Sequence, residues 1–82
     1  EPVYPDSARQ SGLEGRVLVR IEILINGLPG EVSVQQSSGS EVLDAAALSA
    51  VRRWKFMPAQ ERQSGRAVIS YTTVPIVFKL RA

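Results

Sequence analysis

The residue types that carry most protein chemistry are missing from this chain. It holds no Cys and no His, which removes the usual thiol nucleophile, the side chain that titrates near neutrality, and the ligands of most zinc and copper sites. Glu41 and Asp44 are the closest acidic pair on a predicted helix. General acid and base work needs carboxylates held in opposed environments within a cleft, whereas acids in a first helical turn answer the helix dipole. Neither catalysis nor a cofactor is therefore expected. Arg52, Arg53 and Lys55 form the densest basic cluster, suited to nucleic acid, an anionic membrane or an acidic peptide, or simply to the negative end of a helix dipole. Gly12 to Gly15 and Gly27 to Gly30 match a Gly-x-x-Gly spacing used to clamp single-stranded nucleic acid. That clamp joins two helices. Here one copy precedes a strand, the other joins two strands, and neither contains Lys or Arg, so turn chemistry explains both. An RNA-binding sheet would also present exposed aromatics, and only Tyr71 could serve, so no nucleic-acid partner is expected.

What remains is a chain of 82 residues with 44% hydrophobic and 22% charged residues, enough for one small soluble domain without disulfides. Net charge is +2 but uneven. Residues 1–43 carry three basic against six acidic groups, and residues 44–82 carry seven basic against Asp44 and Glu61, so the second half favours an acidic partner. No stretch reaches the roughly 18 apolar residues of a membrane-spanning helix. The chain opens without Met on Glu1-Pro2-Val3-Tyr4-Pro5, which reads as the end of a linker from a longer protein.

The elements follow from periodicity. Asp6 to about Gly12 suits a short helix with Gly12 as its stop. In residues 16–25, Val17, Val19, Ile21, Ile23 and Ile25 alternate with a second set that includes Leu18 and Leu24, as in a central strand. Asn26-Gly27 and Pro29-Gly30 turn the chain into a second strand, residues 31–36, making an antiparallel hairpin. After Ser37-Ser38-Gly39-Ser40, apolar residues at 43, 46, 47, 50, 51 and 54 predict an amphipathic helix of about thirteen residues. Its last turn would carry the basic cluster, Trp54 would bury most area at one end, and Pro58 would end it. Residues 60–65 read as loop and 67–80 as one long strand, with Val74, Ile76, Phe78 and Leu80 on one face and Ile69, Tyr71, Thr73, Pro75 and Val77 on the other. The order αββαβ predicts an α+β domain: a three-stranded antiparallel sheet, spatial order 2-1-3, with two helices packed on one face.

Pro75 places the last strand at the sheet edge, because proline cannot donate to a ladder. If its backbone points outward, so does that of Thr73, Val77 and Lys79, and their amides offer a ladder to an extended peptide. The competing reading is that Pro75 and Lys79 merely keep other chains from pairing there. Sequence physics leaves the two balanced.

The ordered set Tyr4-Pro5, Ala8, Gly15, Asn26-Gly27, Ser38-Gly39, Leu43-Asp44 with Ala46-Ala47, Trp54-Lys55-Phe56-Met57-Pro58 and Val74-Pro75-Ile76-Val77-Phe78 resembles the C-terminal domain of TonB proteins, over nearly all of residues 4–81. The resemblance implies residues 1–5 as the end of a proline-rich linker and 4–82 as a periplasmic, non-enzymatic module of an inner-membrane-anchored energy transducer of Gram-negative bacteria. It implies work with ExbB and ExbD through an upstream part. It also implies docking of outer-membrane transporters of siderophores, haem or cobalamin, through their TonB box, as a strand added to the last strand. Carried over, the contact residues are Val3, Tyr4, Pro5, Arg9, Ser70, Tyr71, Thr72, Thr73, Val74, Pro75, Ile76, Val77 and Lys79. Some relatives have a basic residue two after the Tyr-Pro proline; Ser7 stands there, so contacts of that position are not carried over. The alternatives are a TolA-like periplasmic tether, a module that pairs with itself as a homodimer, and a small RNA-binding protein.

Overall fold

The computed structural model describes residues 3–80. Glu1 and Pro2 of the expected linker end, and Arg81 and Ala82 at the end of the expected domain, lie outside the described residues. Seven elements follow in order: α1 (Asp6–Gln10), β1 (Gly15–Ile23), β2 (Pro29–Gln36), α2 (Glu41–Val51), β3 (Ala59–Gln60), β4 (Ala67–Val68) and β5 (Ser70–Phe78). The main sheet runs β2-β1-β5 with both neighbours of β1 antiparallel to it, which is the expected order with β1 central. Val17, Val19, Ile21 and Ile23 of β1 all face the core, as the period of two requires. They meet Ile76 and Phe78 of β5, Leu43, Ala47 and Val51 of α2, and Ala8 of α1 in one buried cluster.

Three expectations need correction. Helix α2 stops at Val51, so it is 11 residues long. The Arg53 and Trp54 amides donate back to Ala50 and Val51, three residues upstream, which tightens and closes the helix. The basic cluster is thus not in the last turn: Arg52 is the C-cap, and Arg53 and Lys55 follow it, all three exposed. Trp54 is not a buried anchor either. It is 36% exposed and leans on Phe56 with ring centroids 6.1 Å apart. Finally, the long terminal strand is split and the supposed loop is structured. Ala59 pairs with Val68 and Gln60 with Ala67, a two-stranded hairpin whose tip is closed by Glu61 accepting from the Gln63 and Ser64 amides. The Ser64 and Gln63 hydrogen bonds outweigh partial desolvation and hold the Glu61 carboxyl below its ordinary value.

One long-range contact explains the early helix end. The Phe56 amide donates to the Gly27 carbonyl at 2.8 Å, tying the helix exit to the β1–β2 turn. Gly27 has φ +84°, and a Cβ there would collide with the Phe56 carbonyl oxygen. Gly27→Ala therefore meets both a left-handed backbone, disfavoured by about 1–2 kcal/mol for L-residues, and a backbone clash. Loss of at least about 2 kcal/mol is expected, read as a fall in denaturation midpoint with an unchanged denaturant slope.

The start of α2 is fixed by serines. Ser40 Oγ accepts from the Leu43 amide at 3.3 Å, the usual N-cap arrangement. The Asp44 carboxylate accepts from the Ser38 amide at 2.9 Å, the Ser38 hydroxyl at 2.8 Å and the Ser37 hydroxyl. Burial raises the Asp44 pKa, but these hydrogen bonds outweigh it and the carboxyl titrates below the ordinary Asp value. Asp44 thus serves the fold, gathering the serine loop onto the first turn of α2. A group whose native pKa is lowered stabilises fully above its unfolded pKa and ceases to do so as pH falls through the native value. Asp44→Ala should lose about 1–2 kcal/mol at pH 7. Melting curves should converge with the parent's as the pH is lowered below about 4, near the unfolded Asp pKa.

A candidate docking edge on the last strand

Strand β5 pairs with β1 without a register break from Ser70, opposite Ile23, to Phe78, opposite Gly15. Pro75, opposite Leu18, lies inside this ladder. A proline fits an unbroken ladder only where its missing N–H would have pointed away from the partner strand. Backbone direction alternates along a strand, so Thr72, Val74, Ile76 and Phe78 turn their polar groups toward β1. Tyr71, Thr73, Pro75 and Val77 turn theirs outward. Among the described residues, no strand pairs with that outer side. Nine residues at about 3.4 Å each make an open edge roughly 30 Å long.

Side chains follow the same alternation. Ile76 and Phe78 are buried, while Tyr71 and Val77 are 58% and 54% exposed, and Thr73 and Pro75 are exposed with them on the solvent face. Lys79, one residue beyond the strand, is exposed as well. The far end is clamped beside the start of β1: the Leu80 amide donates to the Glu14 carboxylate at 2.7 Å.

The N-terminal candidates meet the same end of β5. The Tyr4 ring stands edge-on to Phe78, with centroids 5.4 Å apart and planes at 85°, and its hydroxyl donates to the Leu13 carbonyl. Burial and the Glu14 carboxylate push the Tyr4 phenol above its ordinary pKa, against the opposing Arg9 charge. The Arg9 guanidinium lies 5.4 Å from the centre of the same ring. Tyr4 is thus committed to the domain itself, a half-buried anchor that brings the lead-in to β5. Val3 is exposed, and with Pro5 it borders a groove of about 220 Å³ against Ala46, Ser49, Ala50 and Arg53 of α2 and its exit.

A feature of the edge that sequence reasoning missed lies on its solvent face. The Arg20 guanidinium, from central strand β1, sits 5.0 Å from the centroid of the Tyr71 ring on β5. The Tyr71 hydroxyl lies 3.5 Å from Glu22, and Thr73 donates to the Gln35 side chain of β2 at 2.8 Å. Such pairs become visible only when the strand register is known, because Arg20 and Tyr71 are remote in sequence.

Among the described residues, no group of three or more acidic side chains is placed to hold a metal ion. The fold is a three-stranded sheet backed by two helices, with the outer side of β5 unpaired among the described residues. Known proteins of similar sequence and shape share this fold. The family model described as Gram-negative bacterial TonB protein C-terminal matches residues 1–80. Protein tonB2 of Pseudomonas aeruginosa is 48% identical over 79 residues, which is 96% of this chain and 28% of that protein. Protein TonB of Vibrio cholerae is 39% identical over 80 residues, 98% of this chain and 32% of that one. The solution NMR structure of the Pseudomonas aeruginosa TonB C-terminal domain superposes with a TM-score of 0.82 at 32% identity, covering all of this chain and 81% of that one. The chain belongs to the TonB C-terminal domain family. It spans about a third of the length of these full-length relatives.

Proposed function

We propose that this domain is the transporter-gripping end of a TonB-like energy transducer. In this reading the TonB box of an outer-membrane transporter adds as a further strand to the outer side of β5, and a longer protein pulls on it. The observation that supports it is the unpaired edge with Pro75 turned outward, since an edge left open over nine residues is a docking ladder or a liability. Several backbone hydrogen bonds, each worth only about 0.5–1.5 kcal/mol net, form side by side and share the load. The whole protein would sit in the inner membrane with ExbB and ExbD, and this domain in the periplasm. Residues 1–5 would end a proline-rich linker. The transported cargo would be a siderophore, haem or cobalamin, taken up at the expense of the proton-motive force.

The contact residues would be Tyr71, Thr73, Pro75 and Val77 through their outward backbone, flanked by Ser70, Thr72, Val74, Ile76 and Lys79. Val3, Pro5 and Arg9 would add contacts beside the Tyr4 anchor. Calorimetric titration of the domain with a TonB-box peptide should show one-to-one binding. Absence of binding, with capture of other envelope proteins only, would favour a TolA-like tether. Sedimentation over a concentration range should show a monomer, and a self-paired homodimer through β5 would instead appear as mass rising with concentration.

A further inference from the structure

The solvent face beside the docking edge carries a cation delivered from the neighbouring strand. Arg20 belongs to β1, one strand in from the edge, opposite Thr73. Stacking over Tyr71 carries its guanidinium across to β5, 5.0 Å from the ring centre. The guanidinium is engaged by that ring. The nearest acid along β1, Glu22, is already used: its Oε1 accepts from the Glu31 amide at 2.9 Å, and its Oε2 lies 3.5 Å from the Tyr71 hydroxyl. Arg20, Glu22, Glu31, Val32, Ser33 and Tyr71 border a shallow depression of about 130 Å³, so the guanidinium shares it with two carboxylates. A guanidinium held over an aromatic face keeps its N–H edge free for a bidentate carboxylate.

A strand added to β5 places its solvent-facing side chains directly across from Tyr71 and Thr73, with Cβ atoms about 5 Å apart. We propose that Arg20, positioned by Tyr71, selects docked strands that carry an Asp or Glu on the solvent face across from Tyr71 and Thr73. This rests on the reading of β5 as a docking edge and adds a rule for which segments it prefers. Arg16, opposite Val77 on the same face of β1, extends the positive character toward the far end of the edge. Glu22 and Glu31 line the same depression, so an acidic side chain is favoured only where it meets the Arg20 guanidinium over Tyr71, not along the whole face. Tyr71 acts here as a positioning residue and Arg20 as the contact.

The test uses synthetic ten-residue peptides copied from a TonB-box segment, in versions with Glu or Gln at each solvent-facing position, titrated against the domain and followed by NMR. With the parent domain, the Glu version at one position should bind about fivefold more tightly than its Gln counterpart, a difference that shrinks in high salt. Arg20→Gln should bring the Glu and Gln peptides to equal affinity. Tyr71→Phe, which keeps the ring, should retain the preference, and Tyr71→Leu should reduce it. Equal affinity for every Glu and Gln pair, with β5 amides shifted by all peptides, would overturn the charge selection and leave the docking edge standing. A preference that persists in Arg20→Gln would also overturn it. If no peptide shifts the β5 amides, the docking reading falls and this inference with it.

Discussion

Val77→Pro should cost at least about tenfold in affinity for a TonB-box peptide while leaving the domain folded. The outward N–H of Val77 is not used by β1, so the substitution removes nothing from the ladder that holds β5 in place. Its side chain is 54% exposed, so little core packing is lost. A docked strand, which already finds no donor at Pro75, loses a second one worth about 0.5–1.5 kcal/mol and meets a second pyrrolidine ring two residues further along the same edge. Together these exceed the roughly 1.4 kcal/mol that corresponds to a tenfold change. Thr72→Pro provides the contrast, because its backbone points the opposite way. Its N–H faces β1 opposite Ile21, so the same residue type there breaks a ladder bond and leaves a carbonyl unpaired, at about 1–3 kcal/mol before any clash. Circular dichroism should show Val77→Pro melting near the parent and Thr72→Pro well below it. Only the first can separate binding from folding.

Phe78→Ala should be the most damaging single change to stability. The ring is 2% exposed, lies in the core cluster with Val17 and Leu43, and receives the edge of Tyr4. Emptying a buried phenylalanine site costs about 3–5 kcal/mol. A domain of this size has roughly 4–12 kcal/mol in total. The melting temperature should fall by at least about 12 °C, at about 4–8 °C per kcal/mol for small domains. Because Tyr4 anchors the lead-in through this ring, Val3 and Pro5 should also lose their place against α2. A second readout follows: the Tyr4 phenol, no longer desolvated, should titrate closer to its ordinary value in whatever fraction remains folded.

How legible this was in the sequence depends on the range of each interaction. The alternation of Val17, Val19, Ile21 and Ile23 is a local signal, and it places the central strand to within two residues. Pro75 carries the edge position because a missing donor constrains a strand wherever it occurs. The end of α2 is not legible. Apolar spacing continues through Trp54, yet the Phe56 amide is pulled to the Gly27 carbonyl, a contact between segments far apart in the chain. Tertiary hydrogen bonding there overrides helical periodicity. The β3–β4 hairpin escapes notice because two residues per strand are too few to display any period. At the site, the outward backbone set is readable from Pro75 alone, whereas the Arg20 and Tyr71 stack requires the β1–β5 register. Tyr4 is expected among partner contacts, and its packing against Phe78 and its hydrogen bond to the Leu13 carbonyl are a role that the sequence does not display.

The most direct measurement is amide hydrogen exchange along β5 with and without a TonB-box peptide. In the free domain, Thr72, Val74, Ile76 and Phe78 should exchange slowly and Tyr71, Thr73 and Val77 quickly. With saturating peptide, the fast set should become protected and the slow set should stay so. Protection of Tyr71, Thr73 and Val77 in the free monomer, or no change in them when peptide is bound, would contradict an edge held open for a partner strand.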